Sequence, residues 1–281
     1  MSSKTEIRLK ILLVIIGTVL GLFLSEIILR AIDWNPIKKR EGFLQFGYST
    51  GIPVFDEDGV FEEGKPAKIR LFQYDPVLFW KPIADTLLTN SQGFRGKKDY
   101  NIIKGEDAIR IAFIGDSCTF LGNPVYPELL EGMLAKKLPN KKFELINAST
   151  PGYSSFQGKK LLASLLKYDP DMVVIYFGWN DHWLAQGGLT DEIQYSFIGG
   201  IKIFNLVKWL SMRFSEKSYR VPIEDYTTNL KEIKKLLLEN NVTPVFITAP
   251  SGFLAGQMPG WAYNFFKEIQ VFFFSKLNCF F

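Results

Sequence analysis

The sequence predicts an α/β fold: a three-layer α/β/α doubly wound parallel sheet in flavodoxin-like order, preceded by an N-terminal transmembrane helix. Three observations lead there. Four short apolar runs read as strands: IRIAFIG (Ile109–Gly115), FELIN (Phe143–Asn147), MVVIYFG (Met172–Gly178) and TPVFITAP (Thr243–Pro250). They are nearly continuous rather than alternating, as strands covered on both faces are. Helical apolar spacing fills the intervals between them, and a long apolar run stands near the N-terminus. The expected spatial order of the strands is second, first, third, fourth.

The apolar run extends unbroken from Ile11 to Leu24, follows Lys4, Arg8 and Lys10, and resumes at Ile27–Leu29 after Ser25 and Glu26. Counted from Leu9 to Leu29 it reaches the ~20 residues that cross a bilayer. Lys10 would snorkel and Glu26 would lie near the interface. The following SEIILRAIDW offers no small-x-small cleavage site, so residues 1–34 read as an uncleaved signal anchor. Lys38, Lys39 and Arg40 balance the upstream cations, so charge does not fix its orientation. Residues 35–107, rich in Gly, Pro, aromatic and charged residues, read as an irregular juxtamembrane extension with short strands, in which NSQGFRG (Asn90–Gly96) is a turn-rich approach to a compact domain.

A compact domain is expected over residues 108–281. Pro127–Leu138 carries helical spacing at Leu129, Leu130, Met133, Leu134 and Leu138. Ser154 and Gln157 form a capping-box pattern ahead of Leu161, Leu162, Leu165 and Leu166. Tyr226–Asn240 places Leu230, Ile233 and Leu237 on one helix face. A composition of 47% hydrophobic and 22% charged residues excludes wholesale disorder. The two cysteines, Cys118 and Cys279, make neither a disulfide framework nor a zinc site. A net charge of +4 is too weak to argue for a nucleic-acid partner.

Ligands of such sheets bind beyond the carboxyl ends of the strands. Three loops there carry chemistry: Gly115-Asp116-Ser117, Thr150-Pro151-Gly152-Tyr153 and Gly178-Trp179-Asn180-Asp181. A serine on a strand-to-helix turn exposes its hydroxyl. A glycine N–H and an asparagine amide converging on it would stabilise the oxyanion of a tetrahedral acyl intermediate. Each motif is weak alone; in order, each after its own strand, they reinforce one another.

Over Ile109–Pro250 the chain resembles the SGNH (GDSL-type) hydrolase family, membrane-anchored bacterial members in particular. IGDSCTF matches the nucleophile block, NASTPGYSS the glycine block and FGWND the asparagine block. The resemblance implies Ser117 as nucleophile, with the Ser117 N–H, the Gly152 N–H and the Asn180 side chain as oxyanion hole. It implies ester hydrolysis or acyl transfer, often on glycans or lipids, outside the cytoplasm and with no metal or cofactor. The expected partners are an ester substrate and the membrane.

The family's C-terminal Asp-x-x-His block, which supplies the general base, is not found. After Pro250 the chain runs SGFLAGQMPGWAYNFFKE and then the apolar, aromatic Ile269–Phe281. Truncation or a frameshift explains this, and so does a variant that dispenses with the base. The lone histidine, His182, is a poor substitute, because it shares a loop with Asn180 and adjacent side chains point apart. Asp116 is expected to project away from the serine hydroxyl. Ser117 or Asn180 and Asp181 acting as helix caps, Gly152 as a plain turn glycine and Cys118 as a small packing residue are the structural alternatives. At the level of function, a non-catalytic glycan-binding or assembly protein of the cell envelope stands against the esterase. The missing base favours it; the three oxyanion donors favour the enzyme.

Overall fold

The computed structural model describes residues 3–34, 54–55, 61–62, 71–185, 189–197, 199–212 and 218–247. Its centre is a parallel sheet of four strands, Ala108–Gly115 (β5), Lys142–Asn147 (β6), Met172–Tyr176 (β7) and Thr243–Phe246 (β8), in the order β6-β5-β7-β8. That is the second-first-third-fourth order expected from the sequence. All three pairings are parallel, with Ile111 opposite both Leu145 and Met172.

Alternation along the strands sorts the core into two faces. Ala112 and Ile114 of β5, Ile146 of β6, and Val173 and Ile175 of β7 share one cluster with Leu162, Ile233 and Leu237. Those partners come from the helices Ser155–Leu165 (α4) and Ile223–Glu239 (α7). Ile111, Phe113, Leu145 and Val174 pack on the other face against Tyr126, Leu130 and Leu134 of Tyr126–Lys137 (α3). Leu129, Met133 and Leu138, expected on the same apolar stripe, are instead exposed. At about 100° per residue the pair Leu130/Leu134 meets the sheet and its neighbours turn outward.

The long apolar helix Ser3–Ala31 (α1) stands at the N-terminus; over Thr5–Ala31 it is long and apolar enough to cross a membrane. Val54–Phe55 (β1) and Phe61–Glu62 (β2) pair antiparallel, as do Phe72–Asp75 (β3) and Phe79–Pro82 (β4). The β3–β4 hairpin lies within the segment read as irregular. Its turn is tied by Asp75 Oδ1, which accepts from the N–H groups of Val77 and Leu78 at 2.9 Å each. Phe72, Phe79 and Trp80 enter the main core, and Phe79 stacks on Phe156 of α4 at 6.0 Å.

Helix α4 approaches the sheet edge-on at Gly158, where a Cβ would lie 2.2 Å from the Phe177 ring. Gly158→Ala is therefore expected to cost about 1–3 kcal/mol through overpacking, despite alanine's higher helix propensity. The check is the urea midpoint of the detergent-solubilised chain; an unchanged or raised midpoint would show that Phe177 yields freely.

Candidate active site

Strand β5 ends at Gly115, where a Cβ would meet Thr119 Oγ1 at 2.6 Å and the Tyr176 carbonyl at 2.9 Å. The tight turn puts Asp116 at the cap of a short helix, Ser117–Phe120 (α2), its Oδ1 accepting from the Cys118 N–H at 2.9 Å. Asp116, not Ser117, is thus the capping residue, and Ser117 follows as the first helical residue, half-buried. The second loop is laid against the first by the Thr150 N–H, which donates to the Gly115 carbonyl at 3.1 Å. Within it Gly152 takes φ +79°, a left-handed conformation suited to glycine.

Asn180 joins the three loops. Its buried amide Nδ2 donates to Asp116 Oδ2 at 3.2 Å and to the Tyr153 carbonyl at 3.0 Å. Asp116 directly precedes Ser117 and Tyr153 directly follows Gly152, so one side chain ties the neighbours of both. The backbone N–H groups of Ser117 and Gly152 donate to nothing among the described residues. The Asn180 amide, in contrast, has both hydrogens engaged.

Behind this rim lies a buried polar network. The Arg220 guanidinium donates from Nη1 to the Gly152 carbonyl at 2.8 Å and from Nη2 to Gln157 Oε1 at 3.1 Å. It pairs with Asp191 through Nε at 3.2 Å and Nη2 at 2.8 Å, both residues being buried. Ser154 Oγ donates to Asp191 Oδ2 at 2.6 Å, and Gln157 Oε1 accepts from the Ser154 N–H at 3.0 Å. Trp80 Nε1 holds the Pro151 carbonyl at 3.0 Å, and Tyr153 Oη returns a bond to the Trp80 carbonyl at 2.7 Å. Arg220, Asp191 and Trp80 were all passed over in the sequence. The only signal was a charged residue between Tyr219 and Val221, which fits no motif.

The remaining sequence expectations resolve individually. Asp181 does not cap a helix that follows it. Its Oδ1 accepts from the Ser155 N–H at 2.9 Å and from Ser155 Oγ at 2.5 Å, at the start of α4 earlier in the chain. Burial pushes its carboxyl up to about 7, and Oδ2 has no partner among the described residues. Burial likewise pushes Asp116 up to about 6, although the Cys118 N–H pulls the other way. His182 binds the Gly178 carbonyl through Nδ1 at 3.0 Å, which requires the proton on Nδ1. Cys118 is exposed rather than packed. Partial desolvation and the neighbouring Asp116 hold its thiol up at about 12, far from a reactive thiolate. The expected position of the missing base, and Ile269–Phe281, lie outside the described residues. Among the described residues no group of three or more His, Cys, Asp or Glu is placed to hold a metal ion.

The sequence model of the GDSL-like lipase/acylhydrolase family matches residues 113–264, more than half of the chain. The chain belongs to this family. None of the curated proteins matches it. Among solved structures, TesA shares 17% identity with it, at a TM-score of 0.37 over 58% of this chain and 69% of that one. The psychrotrophic esterase EstA from Pseudoalteromonas sp. shares 20%, at 0.33 over 57% and 71%. Axe2, an acetylxylan esterase from Geobacillus stearothermophilus, shares 16%, at 0.37 over 58% and 69%.

Two outcomes follow from the buried charges. An unfolded chain releases the Asp181 proton near pH 4, whereas the folded chain keeps it to about 7. The contribution is thus complete below pH ~4 and is lost as pH rises through about 7. Asp181→Asn should match wild type near pH 4 and exceed it above pH 7 by on the order of 1–4 kcal/mol. Urea midpoints across pH read this; a pH-independent difference would contradict it. Arg220→Met strands Asp191 as a buried, unpaired carboxylate and should cost about 3–5 kcal/mol. Adding Asp191→Asn should recover part of that loss, and no recovery in the double variant would refute the pairing.

Proposed function

We propose that this chain is a membrane-anchored serine acyl hydrolase or acyltransferase acting on an ester outside the cytoplasm, with little turnover as the chain stands. The observation that carries the proposal is the single Asn180 side chain bonded beside both Ser117 and Gly152. Ser117 Oγ attacks the acyl carbonyl carbon, forming a C–O bond while the carbonyl π-electrons move onto oxygen. The N–H groups of Ser117 and Gly152 receive that oxyanion. Asn180 contributes by exchanging its longer bond, to Asp116, for one to the substrate. The Ser117 proton passes through solvent to the leaving oxygen as the intermediate collapses, so the alcohol departs and an acyl-serine remains. Water or a sugar hydroxyl then takes the acyl group, and its proton returns to Ser117 Oγ.

The weak point is the proton on Ser117. General-base assistance is commonly worth ~10²–10⁴ in rate. His182, the chain's one imidazole, donates from Nδ1 to the Gly178 carbonyl of its own loop, so any base it supplied would be Nε2. Asp116 already accepts from Cys118 and Asn180. An acetylated glycan or a lipid is the substrate class that the family resemblance favours. A second reading, a non-catalytic glycan-binding or assembly protein, draws on the closed state of the Asn180 amide and the missing base.

A membrane-impermeant fluorophosphonate applied to spheroplasts tests location and chemistry together. We expect labelling of wild type and of His182→Ala but not of Ser117→Ala, with purified protein cleaving 4-nitrophenyl acetate slowly. Labelling only after lysis would overturn the location. Equal labelling of Ser117→Ala would overturn the nucleophile, and matching losses in Ser117→Ala and His182→Ala would make His182 the base.

A further inference from the structure

Helix Lys202–Met212 (α6) has two unlike sides. One side holds the fold: Asn205 Nδ2 donates to the carbonyls of Phe197 at 3.2 Å and Gly199 at 3.0 Å. Trp209 and Met212 pack with it on Leu189 and Phe197. The other side is open to solvent and carries large apolar residues beside Ser211 and Lys208, whose Nζ turns back to donate to Ser196 Oγ at 2.7 Å. Phe204 is 67% exposed, Val207 59% and Leu210 44%, with Ile201 just ahead of the helix at 48%. Spaced three residues apart, Phe204, Val207 and Leu210 form one stripe.

What α6 touches says where that stripe lies. It packs on the C-terminal end of α1, where the apolar helix stops. Glu26 Oε2 accepts from the Ile203 N–H at 2.9 Å, and Arg30, paired with Glu26 at 2.7 Å, donates to the Gly200 carbonyl at 3.1 Å. Trp34, just past α1, meets Trp209 of α6 edge-to-face at 6.3 Å. Tryptophans and an arginine at the end of an apolar span mark the headgroup level of a bilayer. An amphipathic helix held at that level lies in the interface with its apolar face in the acyl boundary.

We propose that α6 is an interfacial helix that seats the domain on the bilayer beside its own anchor, with Phe204, Val207 and Leu210 inserted among the lipids. The inference rests on reading α1 as a membrane span. It assigns the exposed stripe to lipid rather than to a protein partner, because the helix is fixed to the element that enters the membrane.

The test uses the full chain with Cys118→Ser and Cys279→Ser, one copy per nanodisc of phosphatidylcholine. A single cysteine labelled with a nitrobenzoxadiazole dye replaces Phe204, Val207, Leu20 in α1, or the exposed Lys235 on α7. Phosphatidylcholine carrying a doxyl group near the headgroup is the quencher read at Phe204, Val207 and Lys235, and phosphatidylcholine carrying it near the acyl-chain end is the quencher read at Leu20 and Lys235. We expect most of the fluorescence to be lost at Leu20, Phe204 and Val207, with Lys235 unaffected. Quenching at Leu20 with Phe204 and Val207 behaving like Lys235 would overturn the proposal while leaving the anchor intact. No quenching at Leu20 would overturn the anchor and the proposal together. Dyes at Phe204 that stay bright in doxyl lipid but quench one another in two-copy discs would assign the stripe to a second copy and refute lipid insertion.

Discussion

One guanidinium holds the candidate site together. Arg220 is buried, so its charge must be compensated locally, and Asp191 supplies the compensation in two hydrogen bonds. What remains of its donor fork goes to the Gly152 carbonyl and to Gln157. A bidentate, planar donor fixes direction as well as distance. The peptide that ends in the Gly152 carbonyl is thereby held from the protein side, while the Gly152 N–H is left without a partner among the described residues. Asp191 begins the short helix Asp191–Ser196 (α5), and Ser154 and Gln157 open α4. Two segments distant in sequence, residues 152–157 and the start of α5, therefore converge on one cation, and neither can shift alone without leaving a buried charge or carbonyl unpaired.

The same network explains which parts of the molecule were legible in the sequence. The sheet was, because apolar runs such as MVVIYFG have one stable use, a strand covered on both faces, and the helices between them dictate parallel pairing. Ser117, Gly152 and Asn180 stand out because each lies in the loop that follows such a run. Arg220, Asp191 and Trp80 were not, because their roles are purely tertiary: a buried cation, its counter-ion and an indole bonded to the Pro151 carbonyl. No local period or turn signal marks a residue whose partner lies tens of positions away. Short strands are expected within residues 35–107, but which of them pair has no local signal. Phe79 of the β3–β4 hairpin takes φ +68°, unusual for an aromatic residue, and burial in the main core rather than local preference keeps it there. Likewise Asp181 fitted a capping pattern, but caps a helix earlier in the chain, since only the folded sheet brings Ser155 beside it.

Charge balance shapes the rim as much as geometry does. Asp116, Asp181 and Asp191 are all buried, and Arg220 pairs directly with only one of them. The other two sit high, at about 6 and about 7, because burial disfavours their charged forms and the Arg220 charge, bonded to Asp191, offsets that only in part. For Asp116 this bears on the chemistry. In the proposed reaction its Oδ2 would compete with the substrate oxyanion for the Asn180 amide, the same N–H serving one or the other. An ionised Asp116 holds that N–H strongly and a neutral one holds it less, since hydrogen bonds to charged acceptors are roughly twice as strong. With a pKa of about 6 Asp116 is still mostly ionised at neutral pH, so the clasp holds there and loosens as pH falls through about 6. In the proposed reaction the buried aspartate thus tunes the availability of the oxyanion donor rather than serving as the missing base, which separates its part from that of the serine it precedes.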